Sequence, residues 1–271
     1  MGLLTKSNKM LVNRTSCFRV NQFLIGMLLV LIASNASAQT EAPDNKWGFL
    51  IEPYLLIPNM SGNIGIRNLP EAEVDANPGD IFSKLRFGGM LYLEAHNDDW
   101  AITSDLLYMN LKQDVTPGIL ISSGNLNAQQ WAWEFAGLFS LLPFFEAGIG
   151  GRLNNIQSGL DINRKEVGGE TTPISAEMSE TWFDPIILIR VTGDINNKWL
   201  FQFRGDGGGF GLGSYYSYQV QGVAGYRFGK LFQLTAGYRM LGMNYDKGTG
   251  ENRFRYKMII FGPVIKLGFN I

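Results

Sequence analysis

Trp131-Ala132-Trp133-Glu134-Phe135-Ala136-Gly137-Leu138-Phe139 places Trp131, Trp133, Phe135, Gly137 and Phe139 on one parity and Ala132, Glu134 and Ala136 on the other. A period of two sends alternate residues to opposite faces of an extended chain, so this stretch reads as a strand with one bulky apolar face and one small or polar face. The pattern recurs along the chain. Phe183, Ile187, Ile189 and Val191 stand opposite Arg190, and Trp199, Phe201 and Phe203 stand opposite Gln202 and Arg204. Tyr216, Tyr218, Val220, Ala224, Tyr226 and Phe228 alternate with Gln219, Gln221 and Arg227. Phe232, Leu234, Ala236, Tyr238 and Met240 alternate with Gln233, Thr235, Gly237 and Arg239.

Extending this reading places strands near 47–58, 84–96, 99–112, 126–140, 143–157, 181–193, 198–208, 215–228, 231–245 and 253–271. Their connections alternate in length. Asn97-Asp98-Asp99, Leu141-Leu142, Asp194 to Asn197 and Gly229-Lys230 are tight, whereas 59–83, 113–125 and 158–180 are long, joined on the long side by 209–214 and 246–252. Met60 to Ile66 has the alternative of a further extended segment, but is taken with Arg67 to Ser83 as one ordered external loop. Short turns on one rim and loops on the other describe an all-β, transmembrane up-and-down antiparallel β-barrel of about 10 strands, with 8 or 12 as the neighbouring even counts. Termini on the short-turn side require an even number.

Alternation by itself does not say which face points outward, because a soluble barrel shows it with the apolar side inward. Volume separates the two. Ten strands each bearing several Trp, Phe, Tyr, Ile or Leu would overfill one closed interior, while the opposite face is rich in Gly, Ala, Ser and Gln with isolated charges. Bulky apolar residues suit lipid and small polar ones suit a lumen. Trp47, Trp100 and Trp199 fall at strand ends, where an aromatic girdle meets headgroups.

The segment before the first strand reads as export machinery. Lys6, Lys9, Arg14 and Arg19 precede an apolar run from Phe23 to Ala33, and Ala36-Ser37-Ala38 before Gln39 has the small-x-small form of a signal-peptidase site. A signal peptide over 1–38, cleaved between Ala38 and Gln39, leaves a barrel over 39–271. Removing four basic residues and no acids from 23 Lys+Arg and 24 Asp+Glu leaves the barrel segment at a net charge of −5. Cys17, the one Cys, goes with the leader, which suits an exported chain without disulfides or thiolate metal sites. With 45% hydrophobic residues, 13% aromatics and no basic surplus, the composition excludes a disordered chain and a nucleic-acid partner.

The last strand shifts phase. Phe254, Tyr256, Met258 and Ile260 share one parity, Gly262-Pro263 intervenes, and Ile265, Leu267, Phe269 and Ile271 continue on the other. A bulge or bend at Gly262-Pro263 would restore one lipid-facing stripe. The ending Leu267-Gly268-Phe269-Asn270-Ile271 resembles the C-terminal signal read by the barrel assembly machinery. The stretch Gly205-Asp206-Gly207-Gly208-Gly209-Phe210-Gly211-Leu212-Gly213-Ser214 is followed by Gly225-Tyr226-Arg227-Phe228, Gly237-Tyr238-Arg239-Met240 and Gly262-Pro263. With Pro53-Tyr54-Leu55, Gly62, Asp105 and Tyr108, these motifs resemble a widespread family of small Gram-negative outer-membrane β-barrel proteins of unassigned biochemical function. The resemblance implies the barrel and the outer membrane, and brings no catalytic residue.

Few motifs suggest chemistry. Gly205 to Ser214 lacks the Lys-Ser/Thr ending of a phosphate loop and opens no amphipathic helix, so it reads as a tight loop folding back over the lumen. Asp246 and Glu251 do not have calcium-loop spacing. Outer-membrane barrel enzymes mostly pair a His with Ser, Asp or Glu, and the one histidine, His96, abuts a short turn on the periplasmic rim. No catalytic residue, cofactor or metal is therefore expected.

The more informative constellation is interior. With aromatics outward, Glu52, Glu94, Asp105, Glu134, Glu146 and Asp206 face the lumen together with Arg86, Arg152, Arg190, Arg204, Arg227 and Arg239. Charges in a narrow, poorly hydrated interior favour a ladder of Arg–carboxylate pairs. Such a ladder is a polar plug or the lining of a thin water path. The expected function is a non-enzymatic outer-membrane barrel, structural or a low-conductance passage for an unspecified small solute; the alternative is a lipid-processing barrel enzyme. Expected partners are outer-membrane lipid, lipopolysaccharide and, during biogenesis, the barrel assembly machinery.

Overall fold

A computed structural model of the chain describes residues 46–67, 71–114, 121–165 and 171–271. The leader over 1–38 and its cleavage site at Ala38 and Gln39 lie outside the described residues.

Twelve strands form one antiparallel sheet: β1 (Gly48–Leu56), β2 (Asn59–Ile66), β3 (Ala72–Ala76), β4 (Leu85–His96), β5 (Trp100–Asp114), β6 (Ile121–Leu142), β7 (Phe145–Lys165), β8 (Thr171–Ile195), β9 (Trp199–Gly208), β10 (Tyr216–Arg227), β11 (Phe232–Lys247) and β12 (Phe254–Asn270). Ten of them, β1 and β4 to β12, pair in sequence, and β1 closes on β12 from Leu50↔Asn270 to Leu56↔Val264. Closure leaves those ten without a free edge at the short-turn end, as a bilayer demands of a spanning sheet. Asn97–Asp99, Pro143–Phe144, Asn196–Lys198 and Phe228–Leu231 make the tight turns. In the first of them the Asn97 carboxamide accepts from the N–H groups of Asp99 and Trp100 at 3.0 and 2.7 Å, a local side-chain bond that fixes the reversal.

The faces follow the alternation. Ile149, Ile187, Ile102 and Trp199 are exposed outside, at 72, 59, 58 and 52%. Glu134 and Arg152 are 3 and 1% exposed inside. A face this apolar on a closed barrel, opposite a polar interior, is the inverse of a soluble barrel and the signature of a membrane-spanning one.

Three regions depart from the sequence reading. The connections expected at 113–125 and 158–180 are largely strand: β6, β7 and β8 run for 22, 21 and 25 residues, about twice the 9–11 that cross a bilayer. Their outer ends carry Ser158, Gly159, Asn163 and Pro173, residue types common in turns, which is why the stretches read as loop.

Met60 to Ile66 is not loop either. It is β2, continuing the β12 ladder from Phe261↔Asn59 to Phe254↔Ile66, and β3 pairs on its far side. A short helix, α1 (Pro78–Lys84), then leads into β4. Its start is written in the residues: the Asn77 side chain accepts from Asp80 N at 3.1 Å, the Asp80 carboxylate accepts from Asn77 N at 3.3 Å, and Pro78 opens the first turn.

The third correction concerns β12. No bulge occurs at Gly262-Pro263; pairing with β11 runs unshifted from Phe232↔Phe269 to Lys247↔Phe254. Even residues face inward throughout, so Phe254, Tyr256, Met258 and Ile260 fill the lumen instead of facing lipid. Outward positions opposite them are Arg255, Lys257 and Ile259, and at the outer end Arg255 pairs with Glu71 at 2.6 Å, where the strand has left the hydrocarbon.

Gly262 and Pro263 serve a different purpose. Ile57 N donates to Pro263 O at 2.9 Å where the chain jogs from β1 to β2. N–H and C=O of one residue point the same way in an antiparallel ladder, so the donor that Pro263 lacks would have faced this jog. A Cβ at Gly262 would lie 2.0 Å from Ile57 O. Gly262→Ala is accordingly expected to destabilise the barrel by about 1–3 kcal/mol, read as a lower urea midpoint in lipid vesicles.

Candidate functional site: the buried ion-pair lumen

Alternation sends a polar side chain inward from nearly every strand at the same height, and the register decides which of them meet. Glu134 on β6 lies opposite Asp105 on β5 and Arg152 on β7. Arg152 forks onto Glu134 through Nε at 3.0 Å and Nη2 at 2.6 Å, and the same Nη2 reaches Asp206 at 2.8 Å. Arg204 Nη2 bonds the other Glu134 oxygen. Across the barrel Arg239 contacts Asp105 at 3.0 Å and donates to the Tyr54 hydroxyl at 2.6 Å, which in turn donates to Asp105 at 2.6 Å. The Gln219 carbonyl caps the back of Arg239 at 3.0 and 2.6 Å.

A second tier lies nearer the short turns. Arg190 bridges Glu94 and Glu146 and reaches the Tyr92 hydroxyl at 3.3 Å. Lys266 pairs with Glu52 at 3.3 Å while its ammonium sits 4.5 Å from the Tyr92 ring centroid, and Gln233 donates to the other Glu52 oxygen at 3.1 Å. His96 Nδ1 stands 3.5 Å from Glu94 at the half-exposed rim.

Ten of the twelve charges expected in the lumen meet in these two tiers: Glu52, Glu94, Asp105, Glu134, Glu146, Arg152, Arg190, Arg204, Asp206 and Arg239. Two stand elsewhere. Arg227 ends β10 at the turn rim and pairs there with Asp194. Arg86 falls at the register shift between Leu85 and Phe87, is exposed, and lines a polar groove with the outward residues of β5 to β8 instead of the lumen.

Sequence reading missed four members of the site: Lys266, Tyr54, Tyr92 and Asp184. The outward Ile265, Leu267 and Phe269 did imply an inward Lys266. The tyrosines were hidden because aromatics signal lipid, although a phenol can also serve as a buried hydrogen-bond donor. Asp184 is fully buried without a cation; it accepts from Ser214 N and Oγ at 2.6 and 2.9 Å, and from Trp182 Nε1 and Asn154 Nδ2, each at 3.3 Å. Those bonds draw the Gly209–Ser214 turn back onto the lumen. Gly213 is required there by crowding, since a Cβ would meet Phe183 O at 2.1 Å.

Towards the loop end the polar tiers give way to hydrocarbon. Leu107, Leu241, Ile260, Met258, Tyr256 and Phe254 join Trp182, which stacks on Tyr245 with centroids 4.3 Å apart. Between the two layers lies a cavity of only 20 Å³, about one water molecule, bounded by Glu134, Arg152, Arg239, Leu241 and Ile260. On the outward face of the extended ends of β5 to β8 lies an open polar groove of 550 Å³ that includes the Asn110, Gln129, Gln157 and Ser179 row.

Chemically, the two tiers set six carboxylates against five cations, Lys266 among them. Arg190 is forked between Glu94 and Glu146, Arg152 and Arg239 each have an acid and a second partner, and Arg204 reaches one Glu134 oxygen; Ser214 donates to the buried Asp184, and His96 lies at the opposite rim. Among the described residues no group of three His, Cys, Asp or Glu side chains is arranged to hold a metal ion.

No known family model matches the sequence, and neither does any curated protein. Solved structures do resemble it. The Pseudomonas putida toluene transporter TodX is 9% identical with a TM-score of 0.37, covering 85% of this chain and 91% of its own. The outer membrane protease OmpT from Escherichia coli is 9% identical with a TM-score of 0.43, over 86% of this chain and 99% of its own. Ail, the attachment invasion locus protein of Yersinia pestis, is 7% identical with a TM-score of 0.35, over 84% and 99%. What this chain is similar to, therefore, are Gram-negative outer-membrane β-barrel proteins of differing activities.

Proposed function

We propose that the protein is a non-enzymatic integral barrel of the Gram-negative outer membrane whose lumen is sealed against ions and polar solutes, serving the envelope as a structural element or, at most, as a very narrow passage. The observation that carries this reading is Arg152, 1% exposed, fixed to Glu134 on one side and to Asp206 on the other. An ion crossing at that level would have to break a desolvated pair, and the apolar layer above it offers no ligand to a hydrated ion. Ten strands enclose little space beyond their own side chains, which supports the same conclusion.

Export by the leader, insertion by the barrel assembly machinery and residence among lipopolysaccharide belong to this reading. The outward rings of Trp100 and Phe139, edge to face at 5.0 Å, and of Trp199 and Tyr226 at the same spacing support it, since they form an aromatic belt beside the short turns. Planar-bilayer recording tests the seal. The expected trace is flat, or has steps far below those of general porins; large stable steps from the unmodified protein would refute the proposal.

A further inference from the structure

Among the described residues the barrel wall is unzipped along a seam between β1 and β4. β1 and β4 pair from Gly48↔His96 to Pro53↔Leu91. Past that register β1 continues to Leu56 alongside the Leu85–Met90 part of β4 with no backbone pairing between them. The Leu56 N–H is bonded instead to the Met90 sulfur at 3.3 Å, a weak acceptor where a wall strand ordinarily finds a carbonyl. The chain then crosses at Ile57–Pro58 to follow β12 as β2, and β2 takes β3 as its other neighbour. Among the described residues β3 reaches β4 through α1, not through a ladder.

A cavity of 60 Å³ occupies this seam, and its lining comes from both faces of the wall. Tyr54, Leu56, Met90 and Met109 are inward residues; Leu55 and Tyr108 are outward ones. It therefore runs through the wall. On the inside it meets the apolar layer of the lumen at Leu56 and Leu107. On the outside it is flanked by Phe87, 63% exposed, whose ring lies 5.8 Å from that of Tyr108. α1 covers it, with Ile81, 3% exposed, as the buried contact.

The height of the seam decides what could enter. Leu56 ends a nine-residue strand that starts at the short-turn rim. At about 3.3 Å per residue and a tilt near 45°, that places it about 19 Å above the rim, within the outward apolar band of about 25 Å. Its lining carries no charged group, and the Tyr54 hydroxyl is already committed to Asp105 and Arg239. A polar solute would lose its hydration there without replacement, whereas hydrocarbon loses nothing.

We propose that this seam is a binding site for a single alkyl chain of an outer-leaflet lipid, admitted sideways beneath α1 into the apolar layer of the lumen. The occupant follows from continuity: the mouth of the seam is part of the apolar outward surface, and its inner end is the apolar layer of the lumen that Leu56 and Leu107 share. A helix of seven residues held by one buried side chain is the part that moves.

Photolabelling tests it. The full barrel is refolded into phosphatidylcholine vesicles doped with a phosphatidylcholine whose palmitoyl chain ends in a diazirine, and labelled residues are mapped by mass spectrometry. Label on inward Leu56, Met90 or Met109 is expected in addition to the outward belt. Gly89→Val should reduce that inward label several-fold, because a Cβ at Gly89 makes only ordinary contact, 3.7 Å from the Phe87 ring, and the added methyls occupy the seam. Ile81→Ala, which frees α1 and touches no barrel strand pairing, should increase it. Label confined to outward residues such as Leu55 and Ile149, or inward label indifferent to Gly89→Val, overturns the proposal. The flat conductance trace is a separate observable, so failure of the seam leaves the seal standing.

Discussion

Glu134→Ala is expected to be among the most damaging single substitutions in the barrel, lowering its stability by about 3–5 kcal/mol. Glu134 is the shared anion of two arginines: it receives Arg152 through two bonds at 3.0 and 2.6 Å and Arg204 through a third, all buried. Its removal leaves both guanidiniums in a low-dielectric interior with Asp206 as the main remaining acid. Burying a cation without its counter-charge costs far more than the intact pair contributed, so the effect comes from what is stranded. Urea unfolding in lipid vesicles, followed by tryptophan fluorescence, measures it. Glu134→Gln keeps a carbonyl acceptor and should fall between the two. In the double variant Glu134→Gln/Arg204→Gln part of the loss should return, because one stranded charge goes with its partner; strict additivity of the two single changes would show that the pair is not coupled. The same variants bear on conductance. Should Glu134→Ala show new channel steps where the unmodified barrel shows none, the ion pairs are the seal, and unchanged silence would assign the seal to the apolar layer alone.

Ile187→Arg is expected to cost about 2–4 kcal/mol, for an unrelated reason. Ile187 is 59% exposed midway between Phe183 and Val191, outward residues of β8. On a protein in water a charged replacement at so open a position would be nearly neutral. Here the same side chain must hold its guanidinium in hydrocarbon or bend towards the headgroups. Lys257→Glu provides the contrast: it is also outward and exposed, but on the part of β12 that carries Arg255 beside it, and it should shift stability by no more than about 0.5 kcal/mol. Equal and small effects at both positions would mean that the outward face does not meet lipid, and the reading of the whole molecule as a membrane barrel would fail.

The corrections made by the structure share one cause. Within the hydrocarbon band, outward residues must be apolar, so parity alone assigns Trp133, Phe135, Ile187 and Phe203 to lipid and Glu134, Arg190 and Arg204 to the lumen. Outside the band that constraint disappears. Phe254, Tyr256, Met258 and Ile260 have the hydropathy of a lipid-facing stripe yet face inward, because the register of β12 on β11 runs unshifted and the lumen beside them is dry. The outer halves of β7 and β8 are hidden because turn-forming residues such as Ser158, Gly159, Asn163 and Pro173, tolerated once the strands have left the band, read as loop.

Pairing partners form a second layer of information. That Glu134 lies opposite Arg152 depends on the register of β6 on β7, and that Arg239 reaches Tyr54 and Asp105 depends on closure of β11 and β12 against β1. Neither follows from spacing along the chain. Ten of the inward charges could be written from the residues alone because inside and outside differ in solvent, a property each residue meets individually, whereas Lys266 and Asp184 were added by the structure. Which charge neutralises which, and that β1 leaves β4 unzipped above Pro53, emerged only when the sheet closed, because contacts between strands far apart in sequence are fixed by register and shape rather than by hydropathy.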